Sequence, residues 1–392
     1  MLLIKNAEVY APEYLGKKDV LIAGGLIEAV ESCGAFDGLA SAADEVIEGE
    51  GLMLFPGIVD GHVHITGGGG EGGFKTRAPE IMLSDMTAAG VTTVLGLLGT
   101  DDMTRSTENL VAKAKALRDE GISAYALTGA YGYPSVTLTG SIKKDIVFIS
   151  EIMGLKLALS DHRAPNVTTE ELIRLASDVR TAGMIAGKES FIVLHMGDGK
   201  DGLKKVFEAL ERTEIPIKVF HPTHVSRCEN LFSDAIRFAK MGGRIDITAF
   251  DSRHSGDMEL VLERLVSEGV SLDRVSISSD AQGSYSEYDS EGRLIKIGIS
   301  PIRSIYDEFA FLMKESKLKK EDVLSLFTKN PADAMGLFPK KGAIKKGSDA
   351  DIILMDKNMV LKYVIACGKP FMKDGSIVKR GTFEPEKDLA CF

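Results

Sequence analysis

Cysteine is scarce in this chain: 392 residues include four, Cys33, Cys228, Cys367 and Cys391. None forms a CxxC pair, and their spacing matches neither a disulfide framework nor a zinc-thiolate site, so a reducing, cytoplasmic setting is expected. Long apolar runs are missing too. None approaches the roughly 20 residues needed to span a bilayer. The opening MLLIKNAEVYAPEYLGKKD lacks a basic region followed by a sustained apolar core, so neither secretion nor membrane embedding is expected. Positive charge is in deficit, 47 Lys and Arg against 57 Asp and Glu for a net charge of −10. With no long basic run to offset it, general binding to nucleic acid or anionic membrane is excluded as the main function. There is no internal repeat, low-complexity linker or long charge block.

What remains is an ordinary globular composition, 44% hydrophobic and 27% charged, long enough for one large body and a smaller companion. LLIKNAEVY and DVLIAGGLIEAV alternate apolar and polar residues, with Gly24–Gly25 as a hairpin turn. DADIILMD, LKYVIACGKPFMKDG and SIVKRGTF read the same way at the other end. Neither end has enough strands to stand alone, so the two are expected to pair. Between them, short Val/Ile/Leu-rich strands at 57–63, 91–97, 122–130, 153–159, 191–196, 217–224, 244–249 and 274–280 alternate with helical patterns. Several of those patterns end in Gly, and Thr168 to Glu171 has capping-box spacing. The expected fold is α/β: a (β/α)8 TIM-type barrel over 57–340, with a small β-sandwich domain built from 1–56 and 341–392.

The chemistry-bearing residues collect where these strands stop. His62 and His64 lie in GIVDGHVH, Lys156 in MGLKLAL, His195 in FIVLHM, His224 in IKVFHPTH and Asp280 in VSISSD. A barrel directs its strand C-termini to one mouth, so the six would converge. Two residues apart on a strand, His62 and His64 face the same side. A lone histidine on an apolar strand is usually a packing residue; five residues at equivalent strand ends are harder to explain that way. Imidazole and carboxylate without thiolate favour zinc, with manganese, cobalt or iron as alternatives. Lys156, between Leu155 and Leu157, would be costly to bury as a cation. A deprotonated amine there could add carbon dioxide, and the resulting carbamate would suit a bridge between two cations.

These residues, with PGIVDGHVH and GAIKKGSDADIILMD, resemble the amidohydrolase superfamily. GHVHITGGGGEGGFKTRAPE, GLLGTD, LTGAY, GLKLALSDHR, HMGD, PTHVSR and SSDAQGS resemble, in order and over almost the whole chain, the isoaspartyl (β-aspartyl) dipeptidases within it. The sequence departs from that pattern at GYPS after Tyr131 and at Phe74–Lys75. The resemblance implies that His62, His64 and Asp280 bind one Zn2+, that His195 and His224 bind a second, and that carboxylated Lys156 bridges them. It further implies a metal-bridging hydroxide as nucleophile, Asp280 as general base and then acid, and Tyr131 polarising the scissile carbonyl.

A β-aspartyl dipeptide presents one ammonium and two carboxylates. Glu71 would take the ammonium, Arg163 and Arg227 the carboxylates, and Ser284 would add a hydrogen bond; Thr100 in GLLGTD joins them by resemblance. Which arginine takes which carboxylate is open, and a local pair with Asp161 would also account for Arg163. His162 and His221 read as supporting or packing residues, and His254 is unassigned. The enzyme alternative is a cyclic-amide hydrolase of the dihydroorotase or hydantoinase type. A scaffold that had lost catalysis would lack ligands, and none of the six is missing. The implied partners are a small dipeptide and other copies of the chain, an octamer by family resemblance.

Overall fold

The computed structural model describes residues 1–249 and 257–385; His254 and Cys391 lie outside the described residues. The chain opens with five strands, β1 (Leu2–Tyr10), β2 (Tyr14–Ala23), β3 (Leu26–Ser32), β4 (Glu45–Glu48) and β5 (Leu52–Pro56). Gly24 and Gly25 turn β2 into β3 with φ of 59° and 84°, a two-residue hairpin that requires the left-handed backbone glycine tolerates.

Strand and helix then alternate: β6 (Ile58–Val63), α1 (Leu83–Ala88), β7 (Val91–Gly96), α2 (Thr107–Glu120), β8 (Ser123–Gly129), α3 (Ile142–Phe148), β9 (Ile152–Leu159) and α4 (Thr169–Ala186). The series continues with β10 (Phe191–Met196), α5 (Lys204–Arg212), β11 (Phe220–Thr223), α6 (Glu229–Lys240), β12 (Ile245–Thr248), α7 (Asp257–Ser267) and β13 (Val275–Ser278). Every expected strand has a counterpart, although 217–219 forms a 3-10 turn ahead of β11. The capping box at Thr168 and Glu171 is present in both directions.

Strands β6 to β11 form one parallel sheet in chain order, and β12 and β13 form a parallel pair. Val225 N–H donates to Asp246 O at 3.4 Å, and His64 N–H to Ala281 O at 2.8 Å beside a parallel bridge Val63–Ala281. The sheet thus curls until its last pair lies beside its first strand. Regular ladders run through an arc of six strands and a separate pair, where the sequence suggested eight in a closed ring.

All eight residues of β9 are buried, as expected of a strand covered on both faces. A bulge sets its orientation: Ala126 pairs with Ile152 but Leu127 with Gly154, so Met153 is an extra residue. Met153 packs with Val59, Leu95 and Val193 on the inner side, whereas Leu155 and Leu157 pack in the large outer core. Lys156 is thereby turned inward.

A hairpin, β14 (Ser284–Tyr288) with β15 (Leu294–Ile299), follows β13, and three helices, α8 (Arg303–Glu315), α9 (Lys320–Phe327) and α10 (Lys329–Ala334), lead to β16 (Ile352–Asp356), β17 (Leu361–Ala366), β18 (Lys369–Lys373) and β19 (Ser376–Ile377). Strand β16 pairs antiparallel with β5, Leu54 opposite Leu354. The two ends of the chain so join, and the expected sandwich takes the form of one nine-stranded sheet. Its core is Ile4, Val9, Val20, Ile22, Ile27, Leu54, Ile352 and Leu354 among others. Each such side chain contributes about 1.5–3 kcal/mol relative to exposure.

Candidate metal centre and substrate pocket

The six predicted ligands meet at the C-terminal ends of the parallel strands. His62, Lys156 and His195 sit on β6, β9 and β10, and His64 follows β6. His224 and Asp280 lie just past β11 and β13 with φ of 61° and 51°, left-handed conformations unusual for residues with side chains. Such backbone costs on the order of 1–3 kcal/mol per residue and is retained where the surroundings hold it, often at functional sites.

Lys156 Nζ is 3.1 Å from His62 Nε2. Asp280 Oδ1 is 3.5 Å from His62 Nε2 and 3.2 Å from His64 Nε2. The His62 and His224 rings are 4.9 Å apart between centroids, and those of His195 and His224 4.8 Å. One ligand atom each from His62, His224 and Asp280 lies within 4.8 Å of the others. All six side chains are buried.

Burial is the main influence on their protonation. It lowers His62, His195 and His224 well below the ordinary imidazole value, with Lys156 and Arg227 adding to the effect, so the three rings are neutral. It lowers Lys156 to about 7, with Asp280 pulling the other way. The buried Nδ1 atoms of His62 and His64 and Oδ1 of Asp280 have no hydrogen-bond partner. Neutral imidazoles, an acceptor carboxylate without a donor and an amine held near neutrality form a donor set that fits a divalent cation.

Tyr131 and Asp161 fix the His195 ring from opposite sides. Asp161 Oδ2 is 3.0 Å from Nε2 and the Tyr131 hydroxyl 2.6 Å from Nδ1. A carboxylate only accepts, so Nε2 carries the proton and Nδ1 accepts from the phenol. Burial raises the Tyr131 phenol, which keeps it a donor. Burial alone would raise Asp161 as well, but hydrogen bonds from His195 and Arg163 hold it well below the usual carboxylate range.

Beside this cluster, Glu71 Oε1 accepts from Thr100 Oγ1 at 3.1 Å, Arg163 Nη1 at 3.2 Å and Ser284 Oγ at 2.8 Å. Glu71, Thr100 and Arg163 from three loops and Ser284 from the start of β14 therefore meet at one carboxylate oxygen. Arg163 also forks onto Asp161, Nε at 2.9 Å and Nη2 at 2.8 Å. The local pair and the contact with Glu71 coexist. Arg227 Nη1 reaches to 3.4 Å from His195 Nε2. Of the remaining histidines, His221 is buried and stacked on Phe191 at 4.3 Å, and His162 stands edge-on to Tyr288 at 4.5 Å.

Three buried carboxylates support the histidine cluster through contacts that sequence reasoning passed over. Asp60 accepts from Ser279 Oγ at 2.5 Å and from His62 N–H at 3.2 Å, joining β6 to the residue before Asp280. Asp246 on β12 accepts from Thr223, Ser276 and Ser278 at 2.6–2.7 Å, tying the strands that precede His224 and Asp280. Burial raises Asp60 to about 7 and Asp246 to about 6. The third is Asp161. A carboxylate inside an apolar strand two residues before His62 was the available signal for Asp60; Asp161 stood in SDHR, where its bond to His195 leaves no trace.

A family model described as the amidohydrolase family matches residues 53–378. The chain is similar to a dihydroorotase of Elusimicrobium minutum, 26% identical over 94% of this chain and 93% of that one, and to a D-hydantoinase of Rhizobium radiobacter, 23% identical over 91% and 86%. Among solved structures it is similar to the β-aspartyl dipeptidase of Fervidobacterium islandicum AW-1 in complex with β-Asp-Leu. That match is 43% identical with a TM-score of 0.89, covering 96% of this chain and 98% of that one. The likeness to β-aspartyl dipeptidases carried by the sequence motifs extends to the whole fold, and the chain belongs to the amidohydrolase family.

Proposed function

We propose that this chain hydrolyses the isopeptide bond of β-aspartyl (isoaspartyl) dipeptides with two divalent cations, zinc foremost, at its centre. The carrying observation is the Glu71 network: an anionic oxygen with Thr100, Ser284 and Arg163 around it, beside the histidine cluster. A substrate with one ammonium and two carboxylates complements this pocket. His62, His64 and Asp280 would hold one ion and His195 and His224 the other, with Lys156 between them as a carbamate. Bound there, the cations acidify water and polarise the scissile carbonyl.

The chain's own groups do the rest. The Asp280 carboxylate takes the proton of the attacking water and returns it to the leaving amine. The Tyr131 hydroxyl turns from His195 to the carbonyl oxygen as charge builds there. The substrate ammonium replaces Arg163 at Glu71, which frees Arg163, with Arg227, for carboxylates. Lys156, lowered by burial to about 7 and so partly neutral near that pH, is the amine that adds carbon dioxide with loss of one proton; growth with 13C-bicarbonate should give a carbamate carbon signal, absent in Lys156→Met.

The deciding experiment sets aspartate release from β-Asp-Leu and α-Asp-Leu beside ring opening of dihydroorotate and hydantoin, with metal-replete protein. Cleavage of the β isomer alone supports the reading. Ring opening without dipeptide cleavage would replace it with cyclic-amide hydrolysis, the reading favoured by the dihydroorotase and hydantoinase relatives. Our reading also includes a closed (β/α)8 barrel over 57–340, a β domain from 1–56 and 341–392, a cytoplasmic site of action and an octameric assembly. No helix of the described residues is long and apolar enough to cross a membrane.

A further inference from the structure

The loop between β6 and α1 carries Glu71 in a stretch built almost without side chains. It holds six glycines between residues 67 and 73. Gly67, Gly69, Gly70 and Gly73 have positive φ, and a Cβ on Gly67 would collide with the Ala78 carbonyl. Its two arms are joined by backbone bonds, Ala78 N–H to Gly68 O at 2.9 Å and Gly70 N–H to Thr76 O at 3.2 Å. The glycine stretch has few side chains of its own to hold it beyond Thr76, which accepts from Gly72 N–H, and Arg77, which donates to Thr104 O, and Glu71 Oε2 is buried without a partner.

One buried guanidinium closes the neck of this loop from outside. Arg105, immediately before the N-cap Ser106 of α2, donates through Nη1 to Thr66 O and through Nη2 to Gly68 O at 3.1 Å and Ala78 O at 2.8 Å. The first two carbonyls belong to the outgoing arm and the third to the returning arm. A rigid planar fork serves carbonyls in these different directions from separate nitrogens; a lysine ammonium carries its donors on one atom at the end of a flexible stem and spans the two arms less rigidly. We propose that Arg105 is a positioning residue for substrate binding: by clamping both arms of the glycine-rich loop it sets the place of the Glu71 carboxylate that receives the substrate ammonium. This rests on the dipeptidase reading of Glu71.

The test is Arg105→Lys, with Arg105→Gln as a second variant, assayed on β-Asp-Leu together with metal content and amide hydrogen exchange. The expected result is a KM raised about tenfold or more with kcat within about threefold, the pattern of lost ground-state binding. Metal content should stay at the wild-type level, and exchange should speed up within 66–78. In a Glu71→Gln background the same substitution should change KM by less than about twofold, because the two residues act on one contact. An unchanged KM in active variants would overturn the proposal, as would loss of metal and kcat together. Slow exchange of the 66–78 amides in the wild-type protein is also required; free exchange there would overturn the clamp even if neither variant folds. A wild-type protein inactive on β-Asp-Leu would sink the dipeptidase reading, and with it the role given to Glu71. The exchange data would still judge whether Arg105 holds the loop.

Discussion

The histidine cluster and the Glu71 pocket lie side by side but are built by opposite means. The cluster stands on or just beyond regular strands, and burial keeps the rings of His62, His195 and His224 neutral. The pocket comes from loops and the start of β14 and is built on charge, with Arg163 answered by Asp161 and Glu71. Neutral, rigidly placed ligands are what a cation needs. Charges that answer one another can be exchanged for those of a ligand without leaving a buried ion alone, a loss that costs several kcal/mol. Under the proposed function, chemistry falls to the strand ends and recognition mainly to the loops.

Substitutions can break that division. Asp280→Asn should retain metal and lower kcat about 10³-fold or more, with KM little changed; near wild-type turnover would remove Asp280 from proton transfer. Tyr131→Phe tests the boundary, since Tyr131 is loop-borne but bonded to His195. Loss of its donor should cost about 10²-fold in kcat, and a pure KM effect would move it to the recognition side. Glu71→Gln should raise KM for β-Asp-Leu about 10–10²-fold while kcat stays within a few-fold; a collapse of kcat instead would mean that the pocket takes part in the chemistry. Ser284→Ala removes one neutral donor to Glu71 and should raise KM about fivefold, measured against the same substrate.

The strand-borne half was the more legible of the two in the sequence. Strand ends announced themselves by apolar runs closing on histidine or aspartate, and the hairpin at Gly24–Gly25 and the cap at Thr168 depend on local residues alone. The inward face of Lys156 was not readable from alternation, because the bulge at Met153 shifts the parity of β9 and depends on pairing with β8. The left-handed turns at His224 and Asp280 were hidden for a similar reason: nothing in PTHVSR or SSDAQGS demands them apart from their surroundings. Residue likeness pointed to Glu71, Thr100, Arg163 and Ser284 one at a time, but their meeting at one oxygen is a tertiary fact. Asp161 and Asp246 act through contacts with other strands, and so left no periodic signal.

The pairing of β5 with β16 has a consequence for how the molecule is made. Leu54 faces a partner 300 residues later in the chain. At about 5–20 residues per second, the ribosome delivers that partner on the order of 15–60 seconds after β5. For that interval the nascent chain carries an open apolar strand edge, which a chaperone or a neighbouring chain can occupy first. Synthesis rate, as well as stability, thus sets the yield of this protein, and slowing translation upstream of Ile352 should increase the aggregated fraction.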